Sequence, residues 1–269
     1  MRTIAVVGAN GFLGSELVRR FLDLKVNVTA VYNQRKDNID KRATIMTSDE
    51  LLESDMNPQC IFFAIGNYTC SHKELLSINE LLSAITGKFV NARCVYISSS
   101  NVYGSHSDII NETSSFNNPT LYALSKLAAE FIVTSLSNFS VIRFTYIYGP
   151  GITNQSFIPK LIKSAKENGK IMLFGNGGRK QDYIYINDAV DFCVRVWETE
   201  SNDIYLGATG ISISNREVAE EIAKISKCEV QYTGIEMGDS YRFDPTLSFQ
   251  KLQWAPKVAF TDGIRQMMK

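Results

Sequence analysis

Tyr122 and Lys126 stand four residues apart in Thr-Leu-Tyr-Ala-Leu-Ser-Lys, residues 120–126, and such a pair can do acid–base chemistry. An ammonium beside a phenol favours the phenolate and draws a tyrosine pKa down from about 10 toward neutrality, as a tyrosine general acid/base requires. Apolar Leu121, Leu124, Leu127, Ala128, Phe131 and Ile132 recur around the pair at helical spacing. The sequence therefore predicts a helix that projects both side chains from one face. The spacing also arises by chance, so its meaning depends on what else the chain brings.

A second candidate group precedes it. Arg93–Ser98 reads as a strand ending in Ser98-Ser99-Ser100. A serine hydroxyl at the carboxyl end of a strand can donate to a substrate carbonyl while Tyr122 supplies the proton. A serine triplet serves equally as a loop or helix cap.

The elements that must position these groups begin at the N-terminus. Residues 3–14, Thr-Ile-Ala-Val-Val-Gly-Ala-Asn-Gly-Phe-Leu-Gly, read as a buried parallel strand, a glycine turn and a helix running to about Phe21. Gly8, Gly11 and Gly14 allow a tight turn, close approach of backbone N–H groups to a diphosphate, and tight packing of the helix that follows. Asn10, Phe12 and Leu13 complete this candidate dinucleotide loop. The next strand, Val26–Tyr32, ends in Tyr32-Asn33-Gln34-Arg35-Lys36. Where NAD-selective sites carry an acid for the adenosine ribose, Tyr32 stands here, with Asn33, Arg35 and Lys36 close behind. This favours NADP(H) and leaves NAD(H) possible, because Asp37 and Asp40 also make the stretch readable as a solvated loop. Ile61–Ile65 is a further short strand, so Ala64, Ile65 and Gly66 fall at the cofactor crevice; Ser71–Ile85 reads as a helix. Strand, helix and strand in this alternation predict an α/β, Rossmann-like, doubly wound parallel sheet with its ligand crevice at the carboxyl strand ends.

Composition narrows the function classes. The 269 residues suffice for a nucleotide-binding domain with a smaller companion. Lys+Arg and Asp+Glu both number 28, so no global field recruits nucleic acid or an anionic membrane. Five cysteines, with no C-x-x-C pair, read as thiols of a reducing cytoplasm. Neither a signal peptide nor a run of membrane-spanning length is seen. His72 and His106 fit no metal-ligand spacing, and no G-x-S-x-G elbow is present.

Gly8-x-x-Gly11-x-x-Gly14, Ile97-Ser98-Ser99-Ser100-Asn101-Val102-Tyr103-Gly104 and Tyr122-x-x-x-Lys126 together resemble the extended short-chain dehydrogenase/reductase family. Tyr148-Gly149-Pro150-Gly151 and the stretch Asp182–Asp188 resemble its nucleotide-sugar branch of epimerases, dehydratases and reductases. The resemblance implies Ser99, Tyr122 and Lys126 as catalytic residues, Lys126 also holding the nicotinamide ribose, and no metal. It implies residues 1–150 as the dinucleotide-binding domain, with 183–208 returning to it, and 151–269 as a small substrate-binding domain. Phe174, before Gly175-Asn176-Gly177, takes the position of an aromatic that packs on the nucleobase; as a bare sequence position it reads equally as core. A homodimer through the helix of Tyr122 and the helix before it is a further implication.

Two positions depart from the family pattern. Gln181 stands where an arginine usually binds the diphosphate, and Tyr146 where an asparagine usually contacts the substrate. Arg179, Lys180 or Arg242 can replace the charge, since a guanidinium clamps phosphate well. Ser100 and Asn101 follow Ser99 where 4,6-dehydratases carry an Asp-Glu pair, which argues against water elimination. The leading expectation is an NADPH-dependent reductase of a 4-keto-6-deoxy nucleotide sugar, with a nucleotide-sugar 4-epimerase as rival and a non-catalytic nucleotide sensor behind both.

Overall fold

The structure is a computed structural model that describes residues 2–33, 35–66 and 71–269; Gln34 and one of the five cysteines, Cys70, lie outside the described residues. In chain order the strands are β1 (Thr3–Val7), β2 (Asn27–Tyr32), β3 (Thr44–Thr47), β4 (Cys60–Phe63), β5 (Arg93–Ser99), β6 (Ile109–Ile110), β7 (Phe139–Phe144), β8 (Tyr146–Tyr148), β9 (Lys170–Phe174), β10 (Lys180–Tyr185), β11 (Asp203–Gly207), β12 (Ser212–Ser214), β13 (Glu229–Thr233) and β14 (Arg242–Phe243). The helices are α1 (Phe12–Asp23), α2 (Ser48–Glu53), α3 (His72–Lys88), α4 (Leu121–Thr134), α5 (Phe157–Asn168), α6 (Ile186–Thr199), α7 (Asn215–Ser226), α8 (Thr246–Leu252) and α9 (Phe260–Met268).

Two compact units result. The first comprises Met1–Gly104, Phe116–Phe144 and Ala189–Leu206; the second comprises Ser105–Ser115, Thr145–Asp188 and Gly207–Lys269. In the first, seven strands form one sheet in the order β11-β7-β5-β4-β1-β2-β3. Each neighbouring pair from β7 to β3 runs parallel. The strand order reverses between β1 and β4, the switch point at which doubly wound sheets place their ligands. Covering by helices is why the central strands are apolar without alternation: all residues of β4 and β5 are buried. Ala5, Val7, Phe63, Tyr96, Ala129 and Val133 belong to one core cluster.

Local signals account for most boundaries. Ser71 caps α3 through a reciprocal box with Glu74, and the helix runs on to Lys88. Thr120 caps α4, accepting from the Ala123 N–H at 3.3 Å. In the second unit Ser214 and Glu217 form the box expected for α7. β3 and α2 were not expected from the sequence, because Thr44–Thr47 is an edge strand with no fully buried residue and α2 has only six residues.

The second unit carries three small sheets, in orders β12-β10-β8, β13-β9 and β14-β6. Asp182 on β10 is fully buried. It accepts hydrogen bonds from Thr145 Oγ1 at 2.9 Å, Thr209 N–H and Oγ1 at 2.9 Å each, and Gly210 N–H at 2.8 Å. These bonds tie the loop after β11 to β10, while burial still pushes the carboxyl above its usual range.

Candidate active site

The glycine turn is pinned to the end of β2. Gly8 and Ala9 both donate their N–H groups to the Val31 carbonyl, at 2.9 and 3.0 Å, and Gly8 adopts a left-handed φ of 86°. A Cβ on Gly14 would stand 2.1 Å from the Gly8 carbonyl oxygen, so only glycine lets α1 start this close to the turn. Gly11 is the N-cap of α1, and neither a side-chain capping bond nor an acidic residue occupies its first turn. The N–H groups of that turn, with the positive end of the helix, suit a phosphate. Leu13 is buried, and Asn10 and Phe12 are half-buried at the turn. By this geometry Gly8, Gly11 and Gly14 fit the diphosphate of a dinucleotide.

At the end of β2, Tyr32 is half-buried while Asn33 and Lys36 are exposed. Arg35 is ion-paired with Asp37 at 2.8 Å, its side chain 74% exposed. One of the two charges that favoured a 2′-phosphate is therefore already partnered.

Lys126 is buried on α4. Its ammonium donates to the Ile65 carbonyl at 2.8 Å and to the Ile97 carbonyl at 2.9 Å, and so joins the segment after β4 to β5. Nζ lies 4.9 Å from the Tyr96 ring centre and 5.9 Å from that of Tyr122. Gly66 measures how the pair converges: a Cβ built there would lie 3.2 Å from Lys126 Nζ and 3.3 Å from the Tyr122 hydroxyl. Burial pulls the Lys126 pKa down to about 7, against an upward pull from Glu130. Tyr122 is the second residue of α4, whose first turn holds no acidic residue. Ala64 and Ile65 are half-buried and Gly66 exposed at this strand end.

Ser99, buried at the end of β5, accepts from the Asn101 N–H at 3.2 Å and so caps a 3₁₀ turn over Ser100–Tyr103. The cap uses an oxygen lone pair, not the hydroxyl proton, so capping and donation to a substrate are compatible. Ser100 is buried and Asn101 half-buried in the same turn.

Sequence reasoning missed the polar cluster beside this group. Arg143 on β7 and Glu130 on α4 form an ion pair at 2.7 Å with both side chains at most 5% exposed. Ser98 donates to the same carboxylate, and Arg143 donates to the Tyr103 hydroxyl at 3.1 Å. Glu130 lies one helical turn beyond Lys126, a spacing visible in the sequence; its partners on β5 and β7 were not.

Phe174, Arg179 and Gln181 of the second unit meet one loop, residues 234–239. Phe174 is 65% exposed and packs beside Gly234. It is not a core aromatic. Arg179 Nε donates to the Asp239 carbonyl at 2.9 Å, and buried Gln181 donates to the same oxygen at 3.2 Å. Among the described residues the Gln181 amide oxygen has no hydrogen-bond partner. Tyr146 is half-buried, its ring centre 5.9 Å from that of Tyr183. Arg242 donates to the Ser107 carbonyl at 3.1 Å.

A glycine-pinned parallel sheet with a buried Lys126 beside Tyr122 defines a dinucleotide-binding protein of the short-chain dehydrogenase/reductase type. Residues 4–207 match the model of the NAD dependent epimerase/dehydratase family, and the chain belongs to that family. Mouse dTDP-D-glucose 4,6-dehydratase is 29% identical over 209 residues, 71% of this chain and 58% of the relative. The chain thus spans little more than half the length of that relative. UDP-glucose 4-epimerase of Mycolicibacterium smegmatis is 26% identical over 307 residues, covering 100% of this chain and 98% of the epimerase. The solved structure of MoeE5 in complex with UDP-glucuronic acid and NAD shares the fold, with a TM-score of 0.87 at 22% identity over 100% of this chain and 98% of that one. Among the described residues no helix is long and apolar enough to cross a membrane.

Proposed function

We propose that the chain is a nucleotide-sugar 4-epimerase working with NAD. The observation that carries this reading is the Ser99, Tyr122 and Lys126 group followed by Ser100 and Asn101, a site equipped for hydride chemistry with no carboxylate beside Ser99 to eliminate water. The match to an epimerase over its whole length supports it, as does the Arg35–Asp37 pair, which weakens the earlier case for NADP(H).

When bound, the dinucleotide accepts a hydride and returns it. Tyr122 takes the proton of the sugar hydroxyl and later gives it back. Lys126 supplies the positive charge that keeps the phenolate available, and Ser99 donates its hydroxyl hydrogen to the same sugar oxygen. Gly8, Asn10, Gly11, Phe12, Leu13 and Gly14 hold the diphosphate, and Tyr32, Asn33, Ala64, Ile65 and Gly66 line the rest of the dinucleotide. Phe174 and Arg179 bind the nucleotide of the substrate, with Tyr146, Gln181 and Arg242 as further substrate residues. A cytoplasmic homodimer belongs to the same proposal: buried thiols Cys60, Cys94 and Cys193 are free, and α4 presents Leu121, Leu124 and Phe131 to solvent.

A second reading, the NADPH-dependent reductase, is favoured by Tyr32 in place of an acid and by exposed Lys36. Denaturing the purified protein and identifying what it releases separates the two. Released NAD, with conversion of UDP-glucose to its C4 epimer, supports the epimerase. Empty protein that binds NADPH more tightly than NADH returns the reductase, and binding of neither dinucleotide overturns both.

A further inference from the structure

Four polar side chains that take no step in this chemistry are buried together beside it. Ser98 is 5% exposed, Glu130 and Arg143 4% each, and Tyr103 0%. Arg143 clamps the Glu130 carboxylate with Nη2 at 2.7 Å and with Nε at 3.1 and 3.2 Å from the two oxygens. Ser98 completes the carboxylate's partners. Arg143 Nη1 reaches the Tyr103 hydroxyl at 3.1 Å, and the guanidinium carbon lies 5.0 Å from the Tyr103 ring centre and 5.1 Å from that of Phe116. A buried ion pair is poorly explained by stability, since desolvation offsets its attraction and well-packed apolar residues do as well or better.

Its placement supplies another reason. Ser98 immediately precedes Ser99 on β5 and pairs with Arg143 across the parallel ladder. Tyr103 closes the 3₁₀ turn that Ser99 caps. Glu130 follows Lys126 by four residues and Tyr122 by eight, on the buried stripe of α4 that also holds Ala123, Lys126 and Leu127. One charged pair thus joins, through side chains, α4 to β5 and to the 3₁₀ turn, the elements that carry the reacting groups.

We propose that Glu130 and Arg143 are positioning residues: the pair sets Tyr122 and Lys126 of α4 against Ser99 of β5, and the Glu130 carboxylate holds the proton on Lys126. The inference rests on the roles assigned above to these three residues. Among the described residues, the titratable and charged groups facing Lys126 are Tyr96 of β5, Tyr122 and Glu130 of α4, and Arg143 of β7 behind Glu130. Glu130 is the carboxylate among them, and its charge opposes the burial that drives the proton off. Arg143 orients that carboxylate.

The test reads Lys126 directly. The full chain is labelled with [13Cε]lysine, the Lys126 resonance is assigned by its loss in Lys126→Met, and its titration is compared in wild type, Glu130→Gln and Arg143→Lys. Glu130→Gln keeps the shape and moves the midpoint acidic by about one pH unit. Arg143→Lys keeps the charge, so its midpoint stays within a few tenths of wild type, while kcat on UDP-glucose falls about tenfold or more with KM unchanged. An unmoved Glu130→Gln midpoint overturns the electrostatic part. Unchanged kcat in Arg143→Lys overturns the positioning part. If UDP-glucose is not turned over, the proposed reaction fails while the titration still decides the role of Glu130; if Glu130→Gln does not fold, Ser98→Ala replaces it, expected to lower kcat about tenfold at unchanged KM, and no change in kcat overturns the proposal.

Discussion

Gly66 stands against Lys126: a Cβ at position 66 would meet the ammonium nitrogen at 3.2 Å and the Tyr122 hydroxyl at 3.3 Å. Gly66 is itself exposed, so a larger side chain disturbs the pair without entering the core. Gly66→Val should lower turnover about 100-fold and leave the melting temperature within about 2 °C. Steady-state kinetics beside a thermal melt measures both.

Tyr122→Phe removes the phenol that we assign as acid/base and keeps the ring. Turnover should fall by about 10²–10⁴-fold, with dinucleotide affinity within about twofold of wild type. Fluorescence titration with NADH checks the second half. Turnover at the wild-type rate would remove Tyr122 from the mechanism.

Lys126 makes stability depend on pH in an unusual direction. Burial lowers its pKa from 10.5 to about 7, so between these values the unfolded chain holds a proton that the folded chain lacks. The penalty for charging the buried amine is full below about pH 7 and fades as pH rises toward 10.5. Stability should therefore gain about 1 kcal/mol per pH unit across that window from this group. Lys126→Met should lose this slope and be inactive. Urea midpoints of both proteins at pH 6, 8 and 9.5 would read the difference.

Gly14→Ala drives a methyl to within 2.1 Å of the Gly8 carbonyl oxygen. The turn must open, at a cost of about 1–3 kcal/mol, and the first N–H groups of α1 lose their alignment. Dinucleotide affinity should drop about tenfold or more, measurable by calorimetry, while Gly87→Ala, where a Cβ meets nothing within 4 Å, should behave as wild type.

Phe131, 72% exposed on α4, joins Leu121 and Leu124 at 47% and 50% as an apolar face. If that face pairs with a second copy, Phe131→Glu should convert a dimer to a monomer in size-exclusion with light scattering at micromolar concentration. A wild-type monomer under the same conditions would contradict the homodimer.

The sequence made most of the first unit legible because its signals are local. The glycine triplet lies between an apolar strand and an amphipathic helix, and Tyr122 and Lys126 need only helical periodicity to be placed together. The NADP(H) expectation rested on Tyr32 in the acid position with Arg35 and Lys36 close behind, and the ion pair of Arg35 with Asp37 depends on how the loop closes. Arg143 was invisible for a different reason. In Phe-Ser-Val-Ile-Arg-Phe it is one charge in an apolar strand, and its meaning comes from Glu130 on the preceding helix and from Tyr103, 40 residues back, which only the fold brings against it. Phe174 reads as core from hydropathy alone, yet it ends β9 in solvent because the pleat of that short strand alternates buried and exposed residues.

The two acceptors of Lys126 are main-chain carbonyls, at Ile65 and Ile97. No substitution of those side chains deletes the oxygens. Substitutions at positions 65 and 97 can therefore change the neighbouring side chains while both acceptors of the ammonium stay in place. Loss of these two bonds must come through Lys126 itself, or through a backbone shift large enough to part β4 from β5.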